Sequence, residues 1–424
     1  MCAMSAEYLE WIDSAVRLPP GGLLLTAGTE PMMTYDRGQL AIGGRIAVAR
    51  KSRRMSQRQL AETAAISISL LQKIERGYRP ATPAVRASIA HALGMDELRP
   101  TDGAHSVGAQ IHDAIARIRR VLDSYDLLED RPHKPLAELA DETQQVTSYR
   151  LTSQYVRLAG ALPGLLTELT TAAYAPREHD RQMAYWLLAM AFRAADAIAD
   201  KYGYMDLSAR AIELIRWAAA RSDDPLLSGM AAYVRAELFF GWAHVAAGLR
   251  TLDDAAASLD PGRSQDALAV YGSLHMRAAV VAAHAGLASQ SSSYLAEARD
   301  CAHRIPDGAY YGTAFGPSSV RIHDVAAAAE LGDAHSALAL AGTWQPSLAV
   351  PAERRSHYFI ELARAQLWAG QRGNAVSSLD RARQIAPQHT RCNPQARETL
   401  ASLMRLGRHP SDRLVRFAAW AGAT

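Results

Sequence analysis

From Ile42 to the C-terminus, the periodic stretches of this chain repeat their apolar residues at helical spacing, and none alternates apolar and polar residues between turn signals. That property confines the expected fold to the all-α class. At 424 residues the chain is longer than one hydrophobic core usually serves, so it should divide into domains or extend as a repeat array. The longest alanine-valine run, around Ala278 to Ala285, is broken by His284 and falls short of the roughly 18 to 20 apolar residues needed to span a bilayer, so no membrane partner is expected. Glu7, Glu10 and Asp13 stand where a secretory leader would need basic residues, which predicts a cytoplasmic protein. Cys2, Cys301 and Cys392 have neither disulfide-framework nor metal-ligand spacing and read as free thiols, with no metal or cofactor.

Turn-forming residues divide the chain. Residues 1–40 hold Leu18-Pro19-Pro20-Gly21-Gly22, Gly28 and Pro31, which break any period and predict a flexible extension. Residues 41–100 fit short helices over about 42–54, 56–64, 67–76 and 82–93, with a last turn near Asp96. Residues 101–109 read as a linker, and 110–424 as longer amphipathic helices. Charge is uneven across these parts. Residues 41–100 carry eleven Arg or Lys against four Asp or Glu, a net +7, whereas the whole chain carries +3 and the remainder therefore −4. A polyanion is the natural partner of such a segment.

Within that segment the residues needed for two crossing helices appear in order. Ser56 precedes Gln57-Arg58-Gln59-Leu60-Ala61 and can cap that helix, and Ala61 is small enough for close approach of the next. Ser67 can cap the following helix, while Leu60, Ile66, Leu71, Ile74, Ile89 and Leu93 are the expected core. Arg50, Met55-Ser56-Gln57, Leu60-Ala61, Ile66-Ser67, Leu71, Ile74-Glu75 and Gly77 together resemble, at its spacing, the Cro and lambda-repressor-like family of xenobiotic-response-element type. One position departs: Ala65 stands where the family's turn usually holds Gly, which predicts a strained left-handed residue costing about 1 kcal/mol or a rearranged turn.

That resemblance implies a five-helix DNA-binding domain of helix-turn-helix type. It places the helix opened by Ser67 in the major groove of double-stranded DNA, with Ile68, Ser69, Gln72 and Lys73 toward base edges. Lys73 is suited to guanine O6 and N7, Gln72 to adenine N6 and N7, and Ile68 to a thymine methyl. Gln57 at a helix N-terminus is the implied phosphate grip, with Arg79, Arg53, Arg54 and Arg58 as further phosphate contacts. Arg50 and Glu75 look like the family's internal ion pair.

Farther on, Gly248, Gly286, Gly332 and Gly370 recur at intervals of 38, 46 and 38 residues, a period that predicts an α-solenoid of helical hairpins. In the last unit Phe359, Leu362, Ala363, Ala375, Leu379, Ala382 and Pro387 follow the tetratricopeptide pattern of large and small packing residues. The longer interval contains an aromatic insertion, Arg304 to Pro317, of the kind that sits on a binding face. Tyr271-Gly272-Ser273-Leu274-His275-Met276-Arg277, Phe315-Gly316-Pro317-Ser318-Ser319-Val320 with His323, and Glu330-Leu331-Gly332-Asp333 resemble a family of actinobacterial regulators that join a Cro-like domain to a tetratricopeptide-like one. A more distant resemblance is to peptide-pheromone receptors.

These resemblances imply a homodimer on an inverted repeat, with a repeat domain that senses a peptide or small-molecule effector. His275, Arg277, Tyr310, Tyr311, Phe315 and His323 are the expected ligand residues, since Arg and His can hold a carboxylate and aromatics can flank an apolar chain. The competing reading is a protein-interaction scaffold or anti-regulator acting through its repeats. No catalytic residue is expected, because no nucleophile-base pair, metal cluster or phosphate loop has usable spacing.

Overall fold

The computed structural model describes residues 43–93 and 107–423, save 45, 48, 52, 54, 77–80, 82, 128–131, 175–177, 240–243 and 408–409. The expected extension 1–40 and the turn near Asp96 lie outside the described residues. The chain forms two compact units that part between Ala104 and His105.

In the first unit the helical residues 43–51 precede helices Gln57–Thr63, Ile68–Glu75 and Pro83–Ala92. Ser56 closes a capping box: its Oγ accepts from Gln59 N–H at 3.1 Å while Gln59 Oε1 accepts from Ser56 N–H at 2.8 Å, which satisfies donors the first turn leaves open. Ser67 caps the next helix through Leu70 N–H. Leu60, Leu71, Ile74, Ile89 and Leu93 are buried as expected, together with Ile46, and Ile66 packs half-buried against them. Gly43 permits the closest crossing. A Cβ there would lie 2.1 Å from the Ile74 carbonyl oxygen, so no larger residue fits without moving the helices apart.

The second unit is a run of helical hairpins from Val107–Asp123 to Asp412–Ala421. Its first helix begins inside the stretch expected as linker. The hairpin turns repeat one geometry at Ser153, Gly203, Gly286, Gly332 and Gly370, each with positive φ. At each, the N–H of the following residue reaches the carbonyl five residues back, as Asp333 does to Ala328 at 2.9 Å. This is the Schellman closure, whose left-handed residue favours glycine. Gly248, expected as a further break, instead lies inside helix Val245–Ala257, where a Cβ would meet that of Phe239 at 2.9 Å. Its role is close packing. The array curls so that helix Tyr155–Ala172 meets helix Pro387–Cys392: Gln388 Oε1 accepts from Val156 N–H at 3.1 Å, and Tyr155 Oη meets His389 Nδ1 at 3.3 Å.

One element departs from the all-helical reading. Residues Gly308–Tyr310 and Thr313–Phe315 pair as antiparallel strands β1 and β2 inside the aromatic insertion. Strands of three residues are too short to register as alternation. Their two-residue turn, Tyr311-Gly312, has φ of 47° and 70°, the primed hairpin turn whose first position is usually Asn or Gly.

Candidate functional site

Arg50 reaches from the first helix to Glu75 at the end of the second motif helix and binds it in two places, Nε to Oε1 at 2.7 Å and Nη2 to Oε2 at 3.0 Å. Its Nη1 also donates to the Met55 carbonyl at 2.9 Å, and Gln57 Nε2 donates to Glu75 Oε2 at 2.7 Å. Burial alone would raise the Glu75 carboxyl, but hydrogen bonds from Arg50 and then Gln57 hold it below its ordinary value. The pair is mostly shielded, with side-chain exposures of 10% and 5%. It therefore fixes the angle between the first helix, the turn and helix Ile68–Glu75 rather than floating in solvent.

With its inner side locked by Leu71, Ile74 and Glu75, helix Ile68–Glu75 turns Ile68, Ser69 and Lys73 to solvent, and Gln72 is half-exposed. Ile68 is 39% exposed. Ser67 spends its hydroxyl on the cap. Gln57, expected to grip phosphate with its side chain, has its amide nitrogen occupied by Glu75 and its Oε1 3.4 Å from Gln72 Nε2. In this state its side chain braces the ion pair. Arg53 and Arg58 are exposed, whereas Arg54 and Arg79 lie outside the described residues. The turn holds Ala65 at φ 53°, with Ile66 N–H bonded to Ala61 O at 2.9 Å, so the left-handed geometry is kept without glycine.

Residues 41–100 match the family model described as a helix-turn-helix domain. The first unit is a helix-turn-helix domain. No curated protein matches the chain. Among solved structures the chain is similar to apo ComR of S. thermophilus, with 12% identity, 87% of this chain and 100% of that one covered, and a TM-score of 0.28. It is also similar to PlcR of Bacillus thuringiensis in complex with the peptide PapR7 and DNA, with 12% identity, coverage of 82% and 94%, and a TM-score of 0.27. For a point mutant of PrgX the values are 10%, 89% and 99%, and 0.25.

Beyond the helix-turn-helix domain, the six residues expected to hold a ligand are each packed against or bonded to other protein groups. Phe315 is sealed in the core beneath Gly272, where a Cβ would come 2.2 Å from its Cζ, so it cannot meet a ligand. Tyr310 donates its hydroxyl to the Pro306 carbonyl of its own loop. His275 stacks edge-on with Tyr271 at 4.5 Å and near Tyr294 at 5.9 Å; its Nε2 is buried without a partner, and burial lowers its pKa.

Arg277, Tyr311 and His323 are each bound to other protein groups. Arg277 donates to Glu237 at 2.7 Å and lies 4.1 Å from the Tyr233 ring centre. His323 Nδ1 donates to the Ser319 carbonyl at 2.7 Å, and burial, then the Arg354 charge, holds its pKa well below the ordinary value. Tyr311 donates to Asp224 Oδ2 at 2.8 Å, the same oxygen that accepts from Trp186 Nε1 at 3.0 Å. Asp224 Oδ1 meanwhile caps helix Pro225–Arg235 through Leu226 and Leu227.

Two arginines that sequence reading passed over stand at the hairpin tip. Arg193 donates from Nη1 to the Tyr311 carbonyl at 2.6 Å and from Nη2 to Thr313 Oγ1, and Arg150 donates to the Gly312 carbonyl. A signal for Arg193 was available: it and Asp196 interrupt the otherwise apolar run Ala184 to Ile198. Among the described residues no group of three His, Cys, Asp or Glu side chains could hold a metal ion, and no helix is long and apolar enough to cross a membrane.

Proposed function

We propose that the chain is a sequence-specific DNA-binding transcriptional regulator. In this reading helix Ile68–Glu75 enters the major groove, two copies bind an inverted repeat, and the helical array holds a peptide or small-molecule effector. The observation that carries the DNA part is the outward face of Ile68, Ser69 and Lys73 on a helix braced from behind by Arg50 and Glu75, in a segment of net charge +7. Side chains held at fixed angles can read base edges, because discrimination of about 1 to 3 kcal/mol per bidentate contact depends on donor geometry. Lys73 and Gln72 supply the donors, Ile68 the apolar contact, and Arg53, Arg58, Arg54 and Arg79 the phosphate contacts. The N-terminus of helix Gln57–Thr63 faces phosphate through its backbone, leaving the Gln57 side chain on the ion pair.

Selection of bound sequences from a random duplex library tests this directly. The expected result is an inverted repeat with half-sites about one helical turn, or 34 Å, apart. Lys73→Ala should change the preferred base at one position of each half-site, whereas Arg58→Ala should weaken every site alike and reduce the salt dependence. Recovery of no motif would favour an interaction scaffold working through the repeats. Equal losses on selected and random duplexes for Lys73→Ala would remove that residue from base reading.

A further inference from the structure

The tip of the β1–β2 hairpin reaches helices more than a hundred residues earlier in the chain, and the groups it meets there are cations. Arg193, 7% exposed, and Arg150, half-buried, both point their donors at the tip, and what they find is neutral: the carbonyls of Tyr311 and Gly312 and the hydroxyl of Thr313. Among the described residues no carboxylate comes within salt-bridge reach of either guanidinium. Glu237 accepts from Arg277, Glu353 acts on Arg150 only as a charge beyond contact range, and burial, then the charge of Glu237, raises the pKa of Asp196. Arg277 and Arg193 both lie over the Tyr233 ring, at 4.1 and 5.7 Å from its centre, but Arg277 already has its carboxylate.

Buried positive charge satisfied only by neutral acceptors is in a poor state. An ionised acceptor would make hydrogen bonds roughly twice as strong and would cancel charge that the carbonyls leave standing. The tip is also held under strain that favours release: Tyr311, a bulky residue, sits at φ 47°, where side chains other than Gly, Asn and Asp are disfavoured. Its hold depends on Asp224, which ties the Tyr311 hydroxyl to Trp186.

We propose that Arg150 and Arg193 form a binding site for a carboxylate or phosphate group, and that the hairpin tip Tyr311-Gly312 is a strap seated in that site which the anion displaces. The planar forks of Arg150 and Arg193 suit two oxygens of one anionic group. This deepens the sensor half of the function proposed above and moves its centre away from His275, Tyr310 and Phe315.

The test uses the full chain and no DNA, so its failure and the failure of the DNA reading are separate. Inorganic phosphate, pyrophosphate and succinate are titrated calorimetrically against chloride at equal ionic strength, and amide hydrogen exchange is followed over residues 310–315. Saturable binding of a phosphate or of the dicarboxylate, which tells the two sources apart, is expected together with faster exchange at the tip. Arg150→Gln and Arg193→Gln should each weaken that binding about tenfold or more. Gly312→Ala should strengthen it about tenfold, because a φ of +70° disfavours any residue with a Cβ, which raises the cost of the seated tip. Arg150 is only half-buried, so its variant serves if the Arg193 variant does not fold. No saturable binding in either wild type or Gly312→Ala, or binding indifferent to both arginine variants, overturns the site. Binding without faster tip exchange overturns the strap.

Discussion

Arg50 in the helix-turn-helix domain and Arg193 in the helical array are buried to the same degree, 8% and 7% exposed, and are held in opposite ways. Arg50 faces a carboxylate across two matched bonds, so its charge is cancelled and its geometry fixed. Arg193 faces a carbonyl and a hydroxyl, and the one acid on its own helix turn, Asp196, is turned toward Ser208, whose Oγ donates to it at 2.7 Å. A matched guanidinium locks two helices permanently, whereas an unmatched one leaves a charge that something else can satisfy. The first arrangement belongs to a scaffold and the second to a place where occupancy changes.

The sharpest break in that comparison is Glu75→Ala. It leaves Arg50 buried and uncompensated and strands the Gln57 amide, so urea unfolding of the helix-turn-helix transition should show a loss of about 3 to 5 kcal/mol. Replacing both partners by apolar residues, Arg50→Met with Glu75→Leu, should recover most of that stability while loosening the set of helix Ile68–Glu75. A single-variant loss below about 1 kcal/mol would mean that the pair behaves as a solvated one and that the contrast with Arg193 is false.

The array and the helix-turn-helix pair should answer to pH with opposite signs. Burial, then the charge of Glu237, raises Asp196 to about 8, whereas in the unfolded chain it titrates in the ordinary carboxylate range. The folded state therefore holds a proton that the unfolded state has released. Stability from this group is complete at acid pH and is lost as pH rises toward 8. Asp196→Asn carries no such proton and can still accept from Ser208. Relative to wild type its stability should rise by about 1.4 kcal/mol per pH unit between about pH 4 and pH 8 in parallel urea titrations. Glu75 has the opposite sign, since a lowered carboxyl contributes above its unfolded value and fails only as pH falls through the folded one. Identical pH slopes for Asp196→Asn and wild type would mean the acid is ionised and does neutralise Arg193. At Arg193 itself, Arg193→Met should cost only about 1 to 2 kcal/mol, the loss of two neutral-acceptor hydrogen bonds offset by removal of a buried charge.

How much of this the sequence disclosed follows from range. Ser56, Ser67, Leu60, Leu71 and Ile74 were legible because capping and helical burial act over three or four residues, and Arg50 with Glu75 because a family pattern carried the long-range pair. Phe315 and Tyr310 of the expected ligand set were not legible as packing residues, because aromatic residues in an insertion look alike whether they pack or bind. Phe315 seals the core against Gly272, and Tyr310 closes its own loop. Arg150 and Arg193 lie 162 and 120 residues from the tip groups they hold, a separation across which no local pattern reaches. Gly248 misled for a related reason: glycine marks both turns and close crossings, and only the φ at the position tells them apart.

The smallest expected effect lies in the turn that the two regions share. Ala65 in the helix-turn-helix and Gly332 in the array both follow a helix, both have positive φ, 53° and 76°, and both are followed by an N–H that bonds five residues back. Since an L-residue other than glycine loses about 1 to 2 kcal/mol in this conformation and glycine loses some of that through unfolded-chain entropy, Ala65→Gly should stabilise its domain by about 1 kcal/mol. Gly332→Ala should destabilise the array by a similar amount, because nothing lies within 4 Å of its added Cβ and backbone strain is then the whole effect. Thermal unfolding of the two variants beside wild type decides it. If Ala65→Gly is neutral or destabilising, the alanine methyl must contribute contacts that offset its strain, and the two turns are alike in geometry but not in energy.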